Sequence, residues 1–174
     1  AYEQYQDRVE ANFPEAVFEV LDISKGIWPQ GKKFDLVISS EVLEHVSGWC
    51  AAVKNLTLMS NCYLLITVPS GKIHNIDRLV GHLRHYGLAE LKQELERNNF
   101  RVVLHRNWGM PFHSLYKFLI NSLDYKKTYA HFGVGHYGFF KKLLSHILYL
   151  LFYLNDMLPL GSQIFVLAKK NVGR

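Results

Sequence analysis

The spacing of apolar residues along the chain changes several times between a helical and a strand period, the pattern of a protein that alternates the two. Residues Ala1 to Asn12 are polar, with Tyr2, Tyr5 and Val9 at helical spacing. Phe13-Pro14 ends that segment, because proline pushes the residue before it away from helical backbone. Val17 to Asp22 reads as a short strand that finishes on an acid. After a loop containing Gly26, Pro29 and Gly31, Phe34 to Ser39 has the character of a strand buried on both faces, and Ser40 to His45 turns out of it. A helix is expected from Gly48 to Met59, then a second buried strand from Cys62 to Val68, closed by Pro69-Ser70-Gly71. Asn75 to Leu83 declares no clear period. Leu88, Leu91 and Leu95 among charges predict an amphipathic helix from Leu88 to Asn98. Phe100 to Arg106 alternates as a strand does, and Ile164 to Ala168 is a last apolar run.

Between those last two strands, Trp108 to Gly161 is aromatic-rich and helical in tendency. Its segment Phe139 to Leu158 is mostly apolar around Lys141, Lys142 and His146, and its longest uninterrupted apolar run is Ile147 to Leu154. A bilayer-spanning helix needs about 20 such residues, so no transmembrane span is expected. The simplest reading is a helix packed on the core or in a homodimer interface; a lid over an apolar substrate and a peripheral membrane contact are the alternatives. Trp108, Phe112, Tyr116, Phe118, Tyr125, Tyr129, Phe132, Tyr137, Phe139 and Phe140 either fill a helical subdomain or wall an apolar acceptor.

Composition narrows the class. With 174 residues, 49% hydrophobic and 20% charged, the chain suits one globular domain. The formal charge is +5, but the lysines and arginines stand singly or in pairs, which describes a solvated surface and excludes a nucleic-acid stripe. Cys50 and Cys62 have no metal or redox spacing and are expected to be free, buried thiols in a reducing compartment. Ala1 to Glu10 is polar with charges of both signs, unlike a signal peptide, so a cytoplasmic location is expected.

The run Phe34-Asp35-Leu36-Val37-Ile38-Ser39-Ser40-Glu41-Val42-Leu43-Glu44-His45, with Ile66-Thr67-Val68-Pro69 about twenty residues on, carries a resemblance. It is similar to the class I S-adenosylmethionine-dependent methyltransferases of the E-x-L-E-H branch that act on small molecules. The resemblance implies a Rossmann-like, doubly wound, mostly parallel α/β sheet with a helical insert before the last strand. Residues 1–107 would be a partial core holding the third to sixth strands, 108–160 the insert, and 161–174 the last strand and tail. The family's first strand, GxGxG-type loop, helix and second strand have no counterpart, since glycine first appears at Gly26. An N-terminally truncated chain is therefore expected.

By the same resemblance, Asp22 and Ile23 would hold the adenine of S-adenosylmethionine, and Ser39, Ser40 and Glu41 would face the cofactor from the strand end. His45, His82 and His85 are the candidate catalytic residues at the rim, histidine being the side chain best suited to take a proton near neutral pH. No metal is expected. The alternative set Glu41, Glu44, His45 and His82 is similar to the arrangement by which small-RNA 3′-terminal 2′-O-methyltransferases hold a divalent cation. The implied function is methyl transfer by direct displacement to a small-molecule acceptor of apolar or glycan-lipid character. A noncatalytic methyltransferase-like scaffold or dimerisation domain, and a metal-dependent RNA 2′-O-methyltransferase, are the alternatives.

Overall fold

The computed structural model describes residues 3–28, 31–122 and 138–171. Helix α1 (Glu3–Asn12) ends just before Phe13-Pro14, as the proline requires. The sheet is built from β1 (Phe34–Ser40), β2 (Ser60–Pro69), β3 (Phe100–Trp108) and β4 (Gln163–Lys170) in the order β1-β2-β4-β3. β1 and β2 run parallel, and β4 lies antiparallel between β2 and β3. Helices α2 (Trp49–Met59) and α4 (Leu88–Arg97) close one face. The short α3 (Asn75–Leu79), then α5 (Phe112–Ser122) and α6 (Phe139–Tyr153), lie outside that layer.

The core follows from strand and helix periods meeting. Ala52, Val53 and Leu56 of α2 and Leu91 and Leu95 of α4 sit with Leu64, Ile66 and Val68 of β2, Phe100 of β3 and Ile164, Val166 and Ala168 of β4, all buried. Spacings of three and four on the helices and two on the strands put these residues on facing surfaces.

Three expectations need correction. Val17 to Asp22 forms no strand among the described residues, although Leu21 and Ile23 pack against the core. An extended segment with no partner strand has no ladder to satisfy its backbone. β1 is not buried on both faces: Leu36 is 47% and Ile38 58% exposed, because α2 covers only the side of Val37 and Ser39. Nor are both thiols buried: Cys50 is exposed and Cys62 half-buried, and both are free. Cys50 lies in the first turn of α2 beside Glu94 of α4, and Cys62 lies near the start of β2. The ambiguous stretch after Pro69 resolves into α3 followed by a turn through Gly81 at φ +91.

One end of the sheet gathers what matters for function. Ser40 pairs with Thr67, and both Pro69 and Trp108 pair with Gln163. Because β4 runs opposite to its neighbours, its first residue lies beside the last residues of β2 and β3.

Candidate active site

The turn after β1 starts with an unusual backbone. Glu41 has φ +52, a region that costs a residue with a side chain on the order of 1 kcal/mol. Its N–H donates to the Thr67 carbonyl at 3.0 Å, continuing the β1–β2 ladder one residue past the strand. Its carboxylate accepts from the Thr67 hydroxyl at 3.1 Å and from the Gln163 amide at 3.2 Å. Ser40 Oγ lies 2.9 Å from Thr67 Oγ1, while Ser39 is buried with no partner for its hydroxyl. Three strands thus fix the Ser39–Glu41 corner.

A single 3-10 turn, Leu43–His45, follows. Leu43 anchors it in the core, and the buried Tyr86 hydroxyl donates to its carbonyl at 2.7 Å. Tyr86 N–H donates to Pro69 O at 2.9 Å, and Leu83 N–H to Glu44 O at 2.8 Å. The segment beyond β2 therefore clamps the turn beyond β1. Arg84 lies over the rings of Trp49 and Tyr86, 4.6 and 4.7 Å from their centroids, and pairs with Glu90. Tyr86→Phe, which removes one of two donors to the buried Leu43 carbonyl and leaves the Val46 N–H at 3.1 Å, is expected to cost about 1 kcal/mol in urea-unfolding measurements.

This clamp brings three of the candidate residues together. Glu44, His45 and His82 each offer an oxygen or nitrogen, all within 4.8 Å of one another. The rings of His45 and His82 meet edge to face at 4.8 Å, and His45 Nδ1 lies 3.1 Å from the Gly81 carbonyl, to which it donates. His82 Nδ1 is 3.1 Å from His85 Nε2. His45 is exposed and His82 half-buried, but the side chain of His85 is only 2% exposed and stands behind His82. Glu41 is held by Thr67 and Gln163, so it faces β2 and β4.

Glu44 is the least comfortable group. It is fully buried and neither carboxylate oxygen has a hydrogen-bond partner. Burial, with the nearby Glu41 charge adding to it, raises its pKa from 4.5 to about 7. The folded chain thus binds this proton more tightly than the unfolded chain does. The resulting stabilisation is complete below about pH 4.5 and is lost as pH rises through about 7. Such a shift corresponds to roughly 3 kcal/mol. Glu44→Gln removes the dependence, so the stability of the wild type relative to this variant is expected to fall by about that amount between acid and alkaline pH. Taking the difference cancels the histidines: burial lowers the pKa of His82, His85 and His113, which has the opposite effect on stability.

Asp22 and Ile23 lie apart from this cluster in their bonding. Asp22 is exposed; its carboxylate pairs with Lys25 at 2.8 Å and accepts from Ser24 at 2.7 Å, and these bonds, Lys25 first, lower its pKa to about 2. The Ile23 carbonyl accepts from Asn55 of α2 at 2.8 Å. Sequence reasoning missed Thr67, Gln163, Asp77, Tyr86 and Lys117. The strand pattern could have supplied Thr67, the last inward polar residue before Pro69. Asp77 and Lys117 give no sequence signal, since a single acid in an aperiodic stretch and a single lysine on a helix look like surface.

Beside the strand end, the insert contributes an aromatic cluster. Trp108, Tyr149, Phe152 and Tyr153 line a cavity of about 310 Å³, and Trp108, His113 and Tyr116 each meet Phe152 within 5.6 to 6.2 Å. The fully buried Asn155 caps α5 by accepting from the N–H groups of Phe112 and His113 at 2.8 and 3.3 Å. No residue of α5 or α6 is fully buried, so these two helices present exposed aromatic side chains. Tyr125, Tyr129, Phe132 and Tyr137 lie outside the described residues. No helix among the described residues is long and apolar enough to cross a membrane.

A parallel pair extended by an antiparallel strand inserted ahead of the edge, with an acidic turn and histidines at the carboxyl ends, fits a Rossmann-like methyltransferase sheet. Residues 2–105 match the family model described as "Methyltransferase domain", and the chain belongs to that family. Solved structures share the fold at low identity. Magnesium protoporphyrin IX methyltransferase from Synechocystis PCC 6803, solved with bound SAH, is 12% identical with a TM-score of 0.51; the match covers 97% of this chain and 59% of that one. The [4+2]-cyclase SpnF is 15% identical with a TM-score of 0.59, covering 97% and 61%. An S-adenosylmethionine-dependent methyltransferase from Mesorhizobium loti is 15% identical with a TM-score of 0.57, covering 97% and 77%. The chain thus spans about three-fifths of the length of the first two. No curated protein sequence matches it.

Proposed function

We propose that the protein carrying this chain transfers a methyl group from S-adenosylmethionine to a small-molecule acceptor by direct displacement. The observation that carries this reading is the convergence of Glu44, His45 and His82 beside the Ser39–Glu41 corner, at the carboxyl ends of the parallel strands of a methyltransferase-domain fold. In an open α/β sheet that end is where ligands lie. The corner fits the cofactor. Ser39 keeps a buried hydroxyl with no partner, and the left-handed Glu41 turns its backbone out of the strand. Ser39, Ser40 and Glu41 would hold the cofactor from this side, with Asp22 and Ile23 assigned to its adenine.

When bound, S-adenosylmethionine supplies an electrophilic methyl on a sulfonium. The chain's own residues have to align an acceptor with it and, for a hydroxyl or a protonated amine, remove a proton. His82 is suited to accepting that proton, because burial lowers its pKa and so keeps the ring neutral at pH 7. His45, exposed at its side, forms the rim. The aromatic cavity next to Trp108 supports an acceptor with an apolar or ring-shaped body. The reaction uses no metal, and a cytoplasmic location completes the reading.

The test is transfer of labelled methyl from S-adenosylmethionine by the full-length protein to a panel of apolar hydroxylated ring compounds, with short RNA as a parallel acceptor. Label is expected in a small molecule, with or without a chelator. Label in RNA alone, lost on adding the chelator, would instead support the metal-dependent alternative. No transfer to any acceptor and no cofactor binding would leave the scaffold.

A further inference from the structure

The insert reaches the histidines through one buried ion pair. Lys117 of α5 places its Nζ 3.2 Å from Oδ1 of Asp77 on α3, with both side chains largely buried. The other oxygen, Oδ2, accepts the His74 N–H at 2.8 Å. Asn121, one turn further along α5, accepts the Ile76 N–H at 3.4 Å, a second tie between α5 and α3. Both Asp77 oxygens are thus supplied with donors, and His85 Nε2, 3.7 Å from Oδ2, is beyond hydrogen-bond distance of the acid. That nitrogen lies instead 3.1 Å from His82 Nδ1.

Two imidazole nitrogens at that distance share one proton, and the carboxylate decides which of them carries it. An Asp77 without its lysine would draw a proton onto the nearer His85 Nε2. A paired Asp77 leaves Nε2 as an acceptor, so the proton sits on His82 Nδ1 and the lone pair of His82 is on Nε2. We propose that Lys117 is a positioning residue for His82: by engaging Asp77, it leaves His85 Nε2 to accept the Nδ1–H of His82 and so sets the His82 tautomer from the insert. Burial opposes a charge on His82 most strongly; Asp77 favours its protonation, while His45, His85 and Lys117 oppose it, and the net effect keeps the ring neutral. With Nε2 as the acceptor, the ring proton of His85 sits on Nδ1, a buried nitrogen that has no hydrogen-bond partner.

Function follows from the direction of control. The helix α5, whose His113 and Tyr116 meet Phe152 of the aromatic cluster, also holds the acid that tunes the base, so docking of α5 on α3 and readiness of His82 are one event. The proposal rests on the reading of His82 as the base. Its test needs no substrate, and can fail while methyl transfer stands.

The ring nitrogens of the full chain, labelled with ¹⁵N-histidine and observed by long-range ¹H–¹⁵N correlation at neutral pH, report each tautomer directly. His82 and His85 are assigned by single substitutions. In the wild type His82 is expected as the Nδ1–H form. Lys117→Met should move it to the Nε2–H form, and Lys117→Arg should keep the wild-type form. Adding Asp77→Asn to Lys117→Met should restore Nδ1–H, a rescue that a merely structural role for Lys117 would not give. An Nε2–H tautomer in the wild type would overturn the proposal, a result that stands even where Lys117→Met does not fold. An unchanged tautomer in folded Lys117→Met would also overturn it.

Discussion

His82→Asn is expected to slow methyl transfer to a hydroxylated acceptor by about 10²–10⁴-fold, the range contributed by a positioned acid–base side chain. The affinity for S-adenosylmethionine should stay within a few-fold. The asymmetry follows from where the residue sits. His82 contacts His45 and His85, and the residues assigned to the cofactor, Ser39 to Glu41, are fixed by Thr67 and Gln163 without it. Asparagine keeps a polar side chain but can take no proton. Single-turnover rates across pH add a second signature. Burial lowers the pKa of His82, so the neutral, proton-accepting ring persists below the ordinary imidazole range. The rate should therefore hold as pH falls to 6.5 and drop only further down. A rate in His82→Asn equal to the wild type would remove His82 from the chemistry.

Gly161→Ala should be the most damaging single-methyl addition to stability, with a loss above about 4 kcal/mol or failure to fold. Gly161 has φ +144, and a Cβ built there lies 2.0 Å from the Trp108 carbonyl oxygen, 2.3 Å from its carbon and 2.6 Å from Gly109 N. These are backbone atoms, so no rotamer relieves the clash. The same junction carries the Met110 N–H to Leu160 O bond at 3.1 Å, and it sets Gln163 against Trp108 and Pro69. Opening it would separate the end of β3 from the start of β4 and release Gln163 from Glu41. Urea unfolding measures the loss through the midpoint at unchanged slope. A Gly161→Ala chain as stable as the wild type would contradict the close approach.

Which parts of this molecule the sequence disclosed follows from the range of the forces involved. Elements held by local period and by the core were legible: the leucines of α4, the apolar run of β2 and the alternation of β3 lie where the pattern puts them. The E-x-L-E-H run located the turn, and with it Glu44 and His45, while His82 came from the segment beyond β2. Elements that depend on a partner were not legible. Val17 to Asp22 has strand composition but no neighbouring strand among the described residues, and Leu36 and Ile38 are apolar yet exposed because α2 covers only the other face of β1. The tuning of the site was equally hidden. Asp77 and Lys117 are 40 residues apart and meet only because α5 docks on α3. His85 looks like a rim residue in the sequence, but the fold buries it behind His82.

The central claim is that this sheet end belongs to a cofactor crevice, and titration calorimetry of the full-length protein with S-adenosylmethionine tests it most directly. Saturable, one-to-one binding is expected, weakened at least tenfold by Asp22→Ala, which removes the acid assigned to the adenine. Binding of S-adenosylmethionine unaffected by Asp22→Ala would reject the adenine assignment alone. No binding by the full-length protein would contradict the enzyme reading itself.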